Sequence, residues 1–409
     1  MTHTGRVGLW PSLVLLAALP LGTTGANSAG PPGAGLIIRT VQLHGIPDAI
    51  AIDARLGRAF IAVTNPSPPG HAGIVVLATQ SGVVFRQITL DEPAHALAVD
   101  TRGDIVFVAT AHRVVALDAR TGTTIWTIAL PALVNPALAV DDGTNRVVVI
   151  GSVPETPLDA SSRGMIVVLD AGRGVRLPAV ALRGSPSAVA VDARTGHAFV
   201  SVDQVSGNGY VAVVDTASGR LVRTTSVSGD PGPLAVAARA ARVFVVDGGS
   251  RTGPGASVSV LDAHSGLLTG TAPTGALPWA LASDERTGHV FVVNQAKRSV
   301  VSVLDAATGR LLRTVEAGEN AVTLATDATT GRVFVVNGGA LHTSANMNLS
   351  ASVSELDAAS GQLLQTIPLS AAFFPRLAAV DERAGRALVA SIPSYGRAAG
   401  AVTVLDATR

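Results

Sequence analysis

The sequence predicts an all-β fold, a β-propeller of eight four-stranded antiparallel blades, and three observations carry the prediction. One unit recurs along the chain. Its cleanest copy, Pro278 to Gly318, reads as four short apolar runs divided by turn residues. Aligned on the Asp that ends the third run, the copies fall at Asp118, Asp170, Asp215, Asp262, Asp305, Asp357 and Asp406, spaced by 52, 45, 47, 43, 52 and 49 residues. An earlier copy, Ile74 to Thr79, lacks the Asp and brings the count to eight. A period of about 45 residues with four strands apiece marks a propeller. Second, the turn after the first run repeats as often, led by Asp53, Asp100, Asp141, Asp192, Ala237, Asp284, Asp327 and Asp381. Third, the chain ends complement each other. The last unit stops after Val402 to Asp406 without a fourth run, while an orphan run, Ile37 to Val41, matches Leu311 to Val315 in residue type. The N-terminal strand therefore completes the last blade and closes the ring, leaving no open edge to aggregate. Seven blades is the alternative, with one degenerate unit absorbed elsewhere.

Taken in order, the chain begins with Arg6, an apolar core from Leu13 to Leu19 and small residues through Ala26. That is the pattern of a secretory signal peptide over residues 1–26. The core is short for a membrane span, so none is expected after cleavage; an uncleaved anchor is the alternative. Residues 27–35 read as a flexible Gly/Pro-rich lead-in, and residues 36–409 as a single propeller domain. In each unit an Ala stands two residues before the first turn: Ala51, Ala98, Ala139, Ala190, Ala235, Ala282, Ala325 and Ala379. Alanine in all eight implies crowding, as where first strands surround the axis. Flanking Leu, Val and Ile run without alternation, as in strands buried on both faces. Each turn opens with an Asp that can accept backbone N–H groups just ahead, and closes with a Gly suited to φ > 0.

Composition narrows function by exclusion. Aromatic residues are 3%, so the core must be aliphatic, and a net charge of +1 offers no field for nucleic acid. The chain has no Cys, which removes disulfides, thiolate metal sites and cysteine nucleophiles. Lys297 is the only lysine, and GxxxxGK[ST], GxSxG and HExxH are absent.

The runs Phe291-Val292-Val293-Asn294 and Phe334-Val335-Val336-Asn337 are each followed by a strand closing in Leu-Asp-Ala-x-x-Gly, Leu304 to Gly309 and Leu356 to Gly361. They resemble the YVTN-repeat, or YncE-like, family of propellers. The resemblance covers residues 36–409 and implies an exported bacterial protein without a defined activity. Phe stands where that family has Tyr, Thr110 and Ile150 stand where it has Asn, and the family is described as seven-bladed. Val115 to Gly122, followed by Trp126, is similar to the repeat of quinoprotein dehydrogenases, which carry a docking Trp in most blades. Here one unit has it, and Trp126 reads as a core residue.

First-to-second and third-to-fourth turns share one face of the disc, and their Asp ring reads as structural. His197 and His289 replace the Arg of other units and read as solvated. The opposite face carries the variable loops: Asn65 to Gly73, Gly151 to Gly164, Asp247 to Ser257, Asn337 to Ser352 and Ser391 to Gly400. His71, His95 and His342 fall there on separate blades, which does not make a metal site. At the start of each first strand stand, around the ring, Asp48, His95, Pro136, Ser187, Gly232, Trp279, Val322 and Arg376, dissimilar residues at one position. Asp48, His95, Ser187, Trp279 and Arg376 are the candidate ligand-binding residues of the channel mouth, with no catalytic or metal residues and no cofactor assigned. The functional reading is an extracytoplasmic, monomeric, non-enzymatic binding module. It would take a protein or small-molecule ligand on its loop face. The alternative is a lactonase-like or quinoprotein-dehydrogenase-like enzyme or redox subunit using the same mouth.

Overall fold

The structure, a computed structural model, describes residues 36–65, 72–153, 163–204, 209–248, 257–275, 277–295, 298–339, 351–370, 372–393 and 399–408. The signal-peptide and lead-in assignments lie outside the described residues, as do His71, Lys297, His342 and most of the variable loops.

Among the described residues thirty-two strands form eight antiparallel sheets of four, in sequence order from the axis outward in blades 1 to 7. Blades 1 to 7 span residues 46–90, 94–129, 134–183, 185–226, 230–273, 278–318 and 321–368. Blade 8 takes three strands from residues 373–406 and its outermost from Ile37–Gln42, which pairs antiparallel with Ala401–Asp406. Eight blades and closure by the N-terminal strand are thus the observed architecture. Each first strand packs beside the first strand of the next blade, and that of blade 8 beside that of blade 1.

The core lies between blades. Phe60, Phe107, Phe199, Phe244, Phe291 and Phe334 occupy one position of the second strand and are fully buried. Cross-strand from each stands the recurring alanine, as Ala51 opposite Phe60 and Ala282 opposite Phe291. Val148 and Leu388 take the position in blades 3 and 8, opposite Ala139 and Ala379. The alanine is small because its partner is large and its strand faces the crowded axis.

The turns behave as the sequence implies. Asp284 Oδ1 accepts the N–H of Arg286 at 2.8 Å, and Gly288 closes the turn with φ 68°. Blade 5 lacks the Asp: Ala237 leads a 3-10 turn, Ala238–Ala240, and non-glycine Ala241 holds φ 51°. Glu285 of blade 6 supplies the missing acceptor, taking the N–H groups of Ala238 at 2.6 Å and Arg239 at 2.9 Å. A neighbour's carboxylate replaces the blade's own.

Adjacent blades are clasped at the residue that follows the third strand. In blade 2, Ala119 accepts Arg58 Nη1 of blade 1 at 2.9 Å. His197 Nδ1 lies 3.1 Å from Ala263 O and His289 Nδ1 2.8 Å from Ala358 O, the same contact from shorter side chains. Both histidines are half-buried, which corrects the expectation that they are solvated. Arg58, His197 and His289 thus reach a carbonyl of the next blade, whereas Arg146, Arg242 and Arg386 bond a carbonyl and a carboxylate of their own. Blade 2 has Ile105 there, and Trp126 on its fourth strand takes the role: the indole N–H donates to Ala171 O at 3.1 Å. Its ring packs against the core between blades 2 and 3.

Candidate functional site

Where each first strand leaves the loop face, the pairing to the second strand is bulged. Asp48, His95, Ser187, Trp279, Val322 and Arg376 are each the extra residue of such a bulge. In blades 3 and 5 two residues are unpaired, Asn135–Pro136 and Gly232–Pro233. A bulge re-aims its side chain away from the ladder. Proline fits here because a bulge needs no ladder donor. All eight positions thus fall at an irregularity of the first-to-second strand pairing, one residue wide in six blades and two in blades 3 and 5.

The structure brings three of them together. Blades 8, 1 and 2 are consecutive, and Arg376 and His95 both act on the charge of Asp48. Asp48 is reachable by solvent yet enclosed by surrounding protein. This loss of water raises its pKa from the ordinary 3.8, opposed by a hydrogen bond with Thr64 and by the neighbouring His95 and Arg376. The remaining two are differently engaged. Ser187 Oγ donates to Pro231 O of blade 5 at 3.0 Å, bridging blades. Trp279 is half-buried against the core of blades 6 and 7.

Sequence reasoning missed the opposite sector. Asp203, at the end of the second strand of blade 4, faces Asp230 at the start of blade 5. Burial, then the charge of Asp230, pushes Asp203 up to about 6. Asp247 is the last residue but one of the second strand of blade 5, fully buried, and accepts hydroxyls from Ser259 at 2.8 Å and Ser257 at 3.0 Å. Burial pushes it to about 6 as well. One signal was available: Asp247 occupies the position of Asn294 and Asn337. In the link into blade 2, Glu92 gathers Thr110 at 2.6 Å and Arg113 at 2.6 Å, with His112 beside it at 3.4 Å. The Thr110 hydrogen bond leads in holding Glu92 below its ordinary pKa. The loop-face rim thus carries three separate charge clusters. Among the described residues no group of three His, Cys, Asp or Glu is placed to hold a metal ion, and no helix is long and apolar enough to cross a membrane.

Comparison with known proteins adds the following. Residues 71–232 match the family described as outer membrane protein assembly factor BamB. The structure of BamB from Moraxella catarrhalis is similar over 90% of this chain and 99% of its own, at 17% identity and TM-score 0.55. Sqt1 from Chaetomium thermophilum, solved bound to the N-terminus of ribosomal protein L10, covers 89% of this chain and 98% of its own, at 13% identity and TM-score 0.65. Saccharomyces cerevisiae Sqt1 covers 89% and 96%, at 10% identity and TM-score 0.62. No curated protein matches the chain. At these identities the likeness is one of fold. It is a whole-ring likeness, since nearly the full length of each chain is covered.

Proposed function

We propose that this chain is a non-catalytic protein-binding propeller acting outside the cytoplasm, and that its partner seats on the loop face over the channel mouth. One observation carries the reading: pairing irregularities at one offset in all eight blades carry eight different residues, while the turn aspartates and the pairs of alanine with a large partner repeat. Packing imposes sameness on this ring, and the mouth departs from it. Support comes from the match of residues 71–232 to an assembly factor and from a similar ring solved with a bound peptide. The N-terminal pattern supports the location.

The chain is, on the same proposal, a YVTN-repeat propeller. Asn294 Nδ2 donates to Ser302 Oγ at 2.9 Å, and Asn337 Nδ2 to Ser354 Oγ at 3.0 Å. The motif's Asn has one geometry in both blades, tying second strand to third.

A photo-crosslinking residue at Ser187 or Trp279 tests the reading, with Ser218 on the turn face as the control. Adducts of one partner at the mouth and none at Ser218 are expected. Adducts at Ser218 alone, or none anywhere in cells producing the protein from its own genome, refute it. The catalytic alternative uses the same Asp48–His95 pair and predicts a small-molecule ligand in place of a protein adduct.

A further inference from the structure

Blade 1 departs from the repeat at one pairing. At the turn-face end of each blade, the first residue of the second strand stands cross-strand from the last of the third. In blades 3, 5 and 8 the pair is an ion pair: Arg146 with Asp170 at 2.8 Å, Arg242 with Asp262 at 2.9 Å and Arg386 with Asp406 at 3.0 Å. In blade 1 the residue opposite Arg58 is Ala78. The guanidinium keeps its reach to blade 2, donating to Ala119 O at 2.9 Å and Arg120 O at 2.8 Å, but has lost its cross-strand anion.

Other cations gather where the carboxylate is missing. Arg58 lies over the Phe85 ring at 4.1 Å, and Arg86 lies 5.9 Å from the same ring. Phe85 is the bulged residue of the outer strand and stands 53% exposed. Arg120 approaches from blade 2, itself held by Asp104 at 2.9 Å. Loss of water and the charges of Arg86 and Arg120 lower the pKa of Arg58, outweighing the opposing Asp53 and Asp118. Arg58, Phe85, Arg86 and Arg120 line a shallow notch between blades 1 and 2, open to solvent and floored by Val76 and Ile88.

We infer that this notch is a docking site for an acidic peptide segment, whose carboxylate takes the place that an Asp fills in other blades. Two forked guanidiniums suit a carboxylate, and the Phe85 face with the aliphatic floor suits an apolar neighbour of that acid. The notch encloses no room for a buried small ligand. Extended polyanions fit poorly, because the chain carries a net charge of only +1 and the turn face elsewhere pairs Arg with Asp.

The test uses the full chain and a fluorescein-labelled decapeptide of alternating Glu and Leu, read by anisotropy at low and moderate salt. Its Gln-for-Glu counterpart and phosphatidylglycerol vesicles are the comparison probes. The Glu peptide should bind, and the Gln peptide should bind about tenfold more weakly, the size of one charge-assisted hydrogen bond. Ala78→Asp, which restores the pairing of other blades, should fold as wild type and weaken the Glu peptide by a similar factor. Arg86→Glu should do the same from the exposed side. Binding that is absent, unchanged in Ala78→Asp, equal for the Gln peptide, or confined to the vesicles overturns the inference.

Discussion

Thr79→Val should destabilise the ring by about 2 kcal/mol, within the range for a hydrogen bond to a charged group. The first-turn aspartates are buried, and Oδ1 of each is used by its own turn. Asp381 Oδ1, for example, accepts Arg383 and Ala384 N–H at 3.1 and 3.0 Å. What reaches Oδ2 depends on the residue after the third strand of the next blade. Thr79 of blade 1 donates to Asp381 Oδ2, and Thr216 of blade 4 to Asp141 Oδ2. Where that residue is Ala119, Ala263, Ala358 or Ala407, the facing Oδ2 of Asp53, Asp192, Asp284 or Asp327 is buried without a protein partner. Valine keeps the shape of Thr79 and strands a fully buried carboxylate oxygen. Thr216→Val should cost about half as much, because Thr144 also reaches Asp141 Oδ2 at 2.8 Å. The reverse changes, Ala263→Thr and Ala358→Thr, should stabilise by about 1 kcal/mol each. Ala306→Thr should not, since it faces Ala237. Urea unfolding midpoints read these differences. A midpoint unmoved by Thr79→Val, or a gain in Ala306→Thr equal to that in Ala263→Thr, refutes the reasoning.

Other expectations follow from the same contacts. Deleting residues 36–43 removes the outermost strand of blade 8 together with buried Leu36, Val41 and Leu43, and should lower solubility and melting temperature sharply; normal melting would contradict ring closure. Phe291→Ala should cost about 3–5 kcal/mol by leaving a cavity opposite Ala282. Asp142, Asp203 and Asp247 are each raised from 3.8 to about 6, chiefly by burial. Each takes its proton in the folded chain at higher pH than in the unfolded one. Stability should therefore rise as pH falls from about 7 toward 4. Below that it should fall, as the depressed carboxylates of Asp215, Asp305 and Asp357 are protonated. Asp247→Asn should flatten the upper limb and stabilise at pH 7 by up to about 3 kcal/mol, with Ser259 turning to accept the amide as Ser302 and Ser354 do from Asn294 and Asn337.

The architecture was legible because identical packing problems were solved identically. Eight alanines, seven first-turn aspartates and an orphan strand matching Leu311 to Val315 suffice to number the blades and close the ring. The shared bulge position of Asp48, His95 and their counterparts was legible for the same reason, since a shared offset from the turn Asp is a shared place in the blade. What stayed hidden depends on contact between blades, which sequence spacing within a unit does not report. His197 read as solvated because its partner, Ala263 O, lies in the next blade. Glu285 gave no sign of capping the turn of blade 5, and Asp203 none of meeting Asp230 across a blade boundary. Asp247 was visible only as a substitution for Asn.

Recognition is proposed to live in the departures from the repeat. It is tested most directly by combining Asp48→Ala, His95→Ala and Arg376→Ala and measuring the yield of the mouth cross-link at Ser187, with thermal melting in parallel. The cross-link yield should fall about tenfold, the worth of one charged contact, at an unchanged melting temperature. An undiminished yield, or a loss seen only where the protein unfolds, would contradict it.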